Sequence, residues 1–431
     1  VNDPATGTFV VVQNAPTDPM DTVRWRDIPS SIEPPIYSTS APVTAGPGGS
    51  NPVNPIGIGD GNSQLLSSYN VAVVLPFLSD RYNTIDKRIA PNSVWALQFY
   101  NGMEVAFDEL SQAGISLNIN VIDSKASQRE VSNQARLNRD LNSAHMIIGP
   151  YLRDNAAVLA EKARTTGAVL VSPHSASSSV SSQNPNYVQV KPTLETHCEA
   201  IIRHALKDHT RDQIVLVGMD TESEAARFAY FQKEYERMNG LQDTEPLRRL
   251  LVDTTKLDMQ TVDLKPYFSY DDETVFIVPS WSQESFIYNF LRKLDLDRQQ
   301  FQRVKVYGMP QWMDYERIDF DYYEKLNVHV SSSSFIDDLN ADIRAFKRKY
   351  YERFGEIPGE QAFLGYDVTR YFGRMINQYG TKFQYKLQEN PQELLHSSFD
   401  FQPVVIPTTT GSEFPQVERW ENHHVNILRF Q

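Results

Sequence analysis

The stretch Val169–Ser179, VLVSPHSASSS, sets a short apolar run against small hydroxyl residues and one histidine. Such a run reads as a buried strand, and α/β sheets bind ligands at the carboxyl ends of their strands. Ser172, His174, Ser175 and Ser177 are therefore candidate contacts for a small polar ligand. A helix after the loop would add free backbone N–H groups for an anion. The competing reading is a capping turn whose hydroxyls are satisfied locally. Tyr151, after Gly149-Pro150, stands at another strand end, and Asp220, Ser280, Trp281 and Trp312 stand at corresponding ends later in the chain. Together they would line a cleft, with Asp220 taking an ammonium group and the rings taking an apolar part. The tryptophans equally suit plugging the space between two halves of the molecule.

Other chemistries lack their residues. No Gly-rich loop ends in Gly-Lys-Ser/Thr, no dinucleotide fingerprint follows the first strand, and no Gly-x-Ser-x-Gly elbow is present. Cys198 is the only cysteine, which excludes an intrachain disulfide and a Cys-based metal site. His423-His424 would point to opposite faces of a strand, so no metal site is expected there. The Asp271-Asp272 and Asp337-Asp338 pairs suit element starts or wet turns. No cofactor is expected, and the chain is read as a non-enzyme.

The elements that must position these residues alternate. NVAVVLPF (70–77) is a continuous apolar run. After Pro91-Asn92, Trp95, Phe99, Met103, Ala106 and Leu110 mark one face of a helix, with Asn92 as its expected cap and Gly114 as its end. Strands at 115–125, 145–150 and 168–173 alternate with helices at 127–142 and 153–165. A second series runs from YVQVKPT (187–193) through QIVLVG (213–218), LRRLLV (247–252), ETVFIVP (273–279) and VKVYGMP (304–310) to NVHVSSSSF (327–335). Helices at 338–353 and 361–378 follow, then strands in FDFQPVVIP and HHVNILRF. This rhythm predicts two parallel sheets wrapped by helices.

With 431 residues, two lobes plus extra segments is the natural division. Residues 1–68 hold 10 of the 25 prolines and read as an extended arm and linker. Within them Val23, Trp25, Ile28 and Ile32 suggest docking on a surface, in cis or on a partner; the alternative is a sticky linker without fixed structure. The net charge of −13 opposes nucleic-acid binding, and no apolar run is long enough to span a membrane. The chain opens at Val1 and is read as processed or truncated, with its targeting segment, a signal peptide or lipid anchor, expected to lie outside this sequence.

YNVAVVLPF, FYNGMEVAFDELSQAG, IIGP (147–150), LVSPHSASSS (170–179), YVQVKPT, IVLVG, VFIVP and PGEQAFLGYDVTRYFG (358–373) occur in an order that resembles the type I periplasmic binding proteins, branched-chain amino-acid branch. The resemblance covers about 69–431. It extends to envelope proteins of Bacteroidetes, where such a module can follow LysM repeats; this chain shows no such repeat. It implies two Rossmann-like lobes with parallel sheets and a three-crossover hinge. Lobe one would comprise 69–192 and 331–381, and lobe two 193–330 and 382–431. The family's ligand hydroxyls would fall at Ser172, Ser175 and Ser177, with His174 where the family has a small residue. Tyr366 and Asp367 match a Tyr-Asp pair that reads as structural, the phenol bonding to Asp367 or to nearby backbone. Ser331–Ser334 falls at a crossover and suits a hinge or an ordinary loop.

The expected function is a periplasmic or outer-membrane-associated binding module for an amino-acid-like or other small polar ligand. The alternative is a scaffold or regulatory subunit of an outer-membrane or peptidoglycan-linked complex that has lost solute binding. Its partners would be envelope proteins, with indirect peptidoglycan association.

Overall fold

The computed structural model describes residues 62–240, 245–254, 258–299, 302–406 and 416–430. The expected docking segment with Val23, Trp25, Ile28 and Ile32 lies outside the described residues.

The first alternating series gives β1 (Tyr69–Leu75), α1 (Val94–Gln112), β2 (Leu117–Asp123), α2 (Gln128–Leu137), α3 (Arg139–Asn142), β3 (Met146–Ile148), α4 (Arg153–Thr166), β4 (Val169–Ser172) and β5 (Tyr187–Gln189). The second gives α5 (Leu194–Ala205), β6 (Ile214–Met219), α6 (Glu222–Met238), β7 (Arg248–Val252), β8 (Thr274–Ile277), α7 (Glu284–Asp297), β9 (Val304–Gly308), α8 (Phe320–Lys325) and β10 (Val328–Ser332). Then come α9 (Ala341–Phe354), α10 (Glu360–Tyr379), a short hairpin of β11 (Gln392–Glu393) and β12 (Ser398–Phe399), β13 (Phe401–Ile406), β14 (Gln416–Asn422) and β15 (Asn426–Arg429).

Two sheets result, ordered β13-β14-β5-β4-β3-β1-β2 and β15-β10-β9-β8-β6-β7. Each is parallel except at one edge, where β13 runs antiparallel to β14 and β15 antiparallel to β10. Central strands such as β4 and β8 are buried along their whole length, as sheets covered on both faces require. One core fills lobe two. Two more lie against lobe one's sheet, and a fourth sits among α1, α9 and α10.

The late chain departs from the expected division. The sequence places residues 382–431 in lobe two, yet β14 pairs with β5 through Trp420–Val188 and Glu421–Gln189 and so stays in lobe one's sheet. Only β15 crosses back. The three connections between lobes are therefore 190–193, 333–340 and 423–425. β14, QVERWEN, carries no alternating apolar pattern because its charged residues are themselves buried: Arg419 donates to Glu421 at 3.1 Å, and Glu421 accepts from Thr193 N at 3.2 Å and Thr196 Oγ1 at 2.9 Å. Glu421 thus ties lobe one to the first turn of α5, where the helix dipole favours a carboxylate.

Two local expectations also change. Asn92 does not cap α1; a turn at Pro91–Ser93 leads into the helix. The helical run 127–142 breaks at Asn138, whose extended backbone ends α2 and whose side chain caps α3.

Candidate functional site

The loop after β4 does not lead into a helix. Pro173 and Pro185 bracket a serine-rich turn that runs directly to β5, so the loop itself starts no helix. Its hydroxyls divide. Ser177 is part of the turn, with its Oγ 3.0 Å from Ser179 Oγ, and Ser179 Oγ accepts from Arg153 at 2.7 Å. Ser175 is buried and its Oγ accepts from Ser177 N at 3.4 Å. Ser172 is fully buried with no hydrogen-bond partner on its Oγ.

His174 turns into lobe one. Its ring lies 5.0 Å from Trp95, 5.0 Å from Phe99 and 5.5 Å from Tyr151, and Trp95 and Tyr151 are 4.6 Å apart. Its Nε2 sits 3.0 Å from Gln361 Oε1 on α10. Burial holds this imidazole down to about 4, so it is neutral near pH 7. The rings of Trp95, Tyr151 and His174 thus fill the space in front of the hydroxyl loop.

In lobe two, Asp220 is exposed at the end of β6. Ser280 is buried and donates to Glu224 at 3.1 Å. Trp281 is half-buried against the lobe-two core, and its carbonyl accepts from Tyr315 at 2.6 Å. Trp312, expected at a cleft wall, is fully buried within lobe two: its indole N–H donates to Ser280 O at 3.2 Å and its ring stacks on Tyr323. Gly308 makes the room, since a Cβ there would lie 2.4 Å from the indole.

Tyr366 and Asp367 have separate partners. The Tyr366 hydroxyl donates to Glu109 on α1 at 2.6 Å, rather than to Asp367 or to backbone. Asp367, wholly buried, accepts from the backbone N–H groups of Leu395, His396 and Ser397 at 3.0–3.1 Å.

An open pocket of about 380 Å³ lies beside these residues, where the lobes join. It collects Lys191 from the first connection, Gln311 and Met313 from the turn after β9, Ser332 from the end of β10, Ser333–Ile336 from the second connection, Glu360 from the start of α10, and His396 from the β11–β12 hairpin tip. Two of its polar atoms are buried with no hydrogen-bond partner: His396 Nε2 and Gln311 Oε1. Glu360 lies 3.8 Å from Lys191 Nζ and 3.9 Å from His396 Nε2, and accepts from Ser334 Oγ at 3.2 Å. The His396 imidazole is the main influence holding the Glu360 carboxyl down, to about 2, against the opposing effect of burial. The pocket therefore presents a fixed negative charge beside a lysine, with Met313 and Phe335 exposed at its mouth. Lys191, Gln311, Glu360 and His396 escaped the sequence reading. Glu360 stands inside a motif the resemblance quoted, but a helix-start glutamate is an ordinary feature.

Two mainly parallel sheets, three connections between them and a final strand that returns to the second sheet decide the architecture. The fold is that of the type I periplasmic binding proteins. A putative branched-chain amino acid ABC transporter protein from Rhodospirillum rubrum is similar at TM-score 0.58 and 14% identity, over 75% of this chain and 90% of that one. An ABC transporter substrate-binding protein from Desulfitobacterium hafniense, solved in complex with Leu, is similar at TM-score 0.51 and 16% identity, over 84% and 98%. Full-length LpoA from Haemophilus influenzae is similar at TM-score 0.51 and 12% identity, over 79% of this chain and 55% of that one. No protein-family profile and no curated sequence matches the chain. Among the described residues no helix is long and apolar enough to cross a membrane.

Proposed function

We propose that this chain is a non-catalytic binding module of the bacterial envelope, periplasmic or outer-membrane-associated, that holds an amino-acid-like ligand at the junction of its lobes. The observation that carries the reading is the pocket's pair of buried, unpartnered polar atoms, His396 Nε2 and Gln311 Oε1. Buried polar groups are nearly always satisfied, and an orphan pair facing a cavity is satisfied by what enters it. Lys191 and Glu360 supply opposite charges for a zwitterion, while Met313 and Phe335 suit an apolar side chain. Asp220 and Trp281 belong to the same proposal as the lobe-two rim, and Tyr151, His174 and Ser175 as the lobe-one wall.

Titration calorimetry of the full chain against the L-amino acids and their amides tests this. Binding that is lost in Gln311→Ala and Glu360→Gln supports it. Absence of heat with every member of the panel overturns it.

A second reading is a scaffold or regulatory subunit that docks on an envelope protein, with indirect association with peptidoglycan. It is favoured by the Trp95, Tyr151 and His174 rings, which occupy the space the hydroxyl loop would offer a solute. About half of the LpoA chain is similar in fold. Under this reading Val23, Trp25, Ile28 and Ile32 form the docking segment, and deleting residues 20–36 abolishes co-purification with an envelope complex.

A further inference from the structure

Glu360 is a meeting point for the hinge. Lys191 reaches it from the first connection between lobes and Ser334 from the second. His396 faces it from the hairpin tip. That tip is also bound to the second connection: Ser334 and Ser397 form an isolated bridge, and Phe335 N donates to His396 O at 2.8 Å. Asp367 pins the tip to α10 through three backbone N–H groups and takes the His396 ring at 3.2 Å from Nδ1. Ser397 Oγ lies 2.8 Å from the same nitrogen.

With Nδ1–H directed at Asp367, the ring's second proton goes to Nε2, which points at Glu360. The charged groups facing the ring are Asp367 and Glu360 from α10 and Lys191 from the first connection. Asp314, from the turn after β9, lines the same pocket. Phe363 packs on the ring at 6.0 Å.

We infer that His396 is a proton-controlled latch on the interlobe hinge. With Nε2 protonated, the ring is clamped between Asp367 and Glu360, and the second connection is held against α10. With Nε2 deprotonated, a lone pair faces the Glu360 carboxylate and the clamp opens. The tip keeps its backbone bonds to Asp367 and to Phe335, but the second connection loses the Glu360 side of its anchorage to α10 and the lobes sample a wider range of separations. Burial lowers the affinity of this ring for a proton, but its hydrogen bond to Asp367 and the attraction of the Glu360 carboxylate 3.9 Å away outweigh burial and raise it above the ordinary 6.5. A raised value means the latch is fully engaged below about pH 6.5 and lost as pH rises through the folded value. This goes beyond the binding proposal, since it concerns the lobes alone and holds with or without a ligand.

The test uses the full chain without ligand. Nitroxide labels go on Thr84→Cys, in the exposed loop after β1, and Glu222→Cys, at the exposed start of α6. The native thiol of Cys198 is buried and stays unlabelled. Electron paramagnetic resonance then gives the interlobe distance distribution from about pH 5.5 to about pH 9, spanning histidine titration. The latch requires a distribution that broadens as pH rises, and a distribution without that transition in His396→Gln. Glu360→Gln, altered at a half-exposed side chain, removes the transition too and keeps the test available if His396→Gln does not fold. A wild-type distribution that does not change with pH overturns the inference. So does a transition retained in Glu360→Gln.

Discussion

Gly102 on α1 and Gly365 on α10 each lie against the other helix's backbone. A Cβ on Gly102 would stand 1.9 Å from Ala362 O, and one on Gly365 2.0 Å from Phe99 O. The two helices pack main chain to main chain, and α10 carries Glu360, Asp367 and Gln361 to the lobe junction from that fixed position. Overpacking against a side chain costs about 1–3 kcal/mol, and a backbone oxygen gives way less readily. Gly102→Ala and Gly365→Ala are each expected to lose about 3 kcal/mol or more, at or beyond the top of that range, in urea unfolding. A loss below about 1 kcal/mol for either would refute the close packing.

Trp312 and Gln311 are neighbours in sequence with opposite predicted effects. Trp312 is sealed in the lobe-two core, whereas Gln311 presents an unpartnered oxygen to the pocket. Trp312→Ala is expected to cost about 3–5 kcal/mol of stability, the range for deleting a large buried ring. Gln311→Ala is expected to leave the unfolding midpoint nearly unchanged while weakening ligand binding in calorimetry. Equal stability losses in the two variants would contradict the assignment.

Acid should weaken the fold well before its carboxylates titrate. Burial depresses His174 to about 4, and burial with Lys191 nearby does the same for His197. The unfolded chain then binds more protons than the native one between about pH 6.5 and 4. The stability these rings confer is present above 6.5 and is lost as pH falls toward 4. Each contributes roughly 1–3 kcal/mol to that loss. Urea unfolding of His174→Gln and His197→Gln at several pH values should show a shallower slope across this window than the parent; an unchanged slope would remove the explanation.

Cys198 lies within α5 with no exposure, and burial pushes its thiol well above the ordinary range. A thiolate is the reactive form. Ellman's reagent should therefore react negligibly with the native chain and with one thiol per chain in denaturant. Rapid native labelling would show that α5 opens on its own.

How much was legible follows from where the information sits. β1, β4, β6, β8 and β9 were readable because strands buried on both faces must be apolar runs. The periodic face of α1 was readable for a similar reason, and its packing partner lay in the quoted FLGYDV segment. β14 was not readable, because Arg419 and Glu421 satisfy one another and Thr193 only after the sheet has formed. Missing β14 also misplaced the last crossing between lobes. The position of Trp312 after a strand suits a cleft wall but does not say which way the ring turns; Gly308 decides that by leaving space beneath it.

The sequence by itself determined the alternation of strands and helices, hence two parallel sheets, because burial on a regular lattice imposes a period that composition records. The lobe junction was decided by tertiary structure alone. Lys191, Ser334, Glu360 and His396 are spread over some two hundred residues, and no local pattern marks them. They meet because β5, β10, α10 and the hairpin tip end in one place, and Coulomb forces act between charges according to distance in space rather than along the chain.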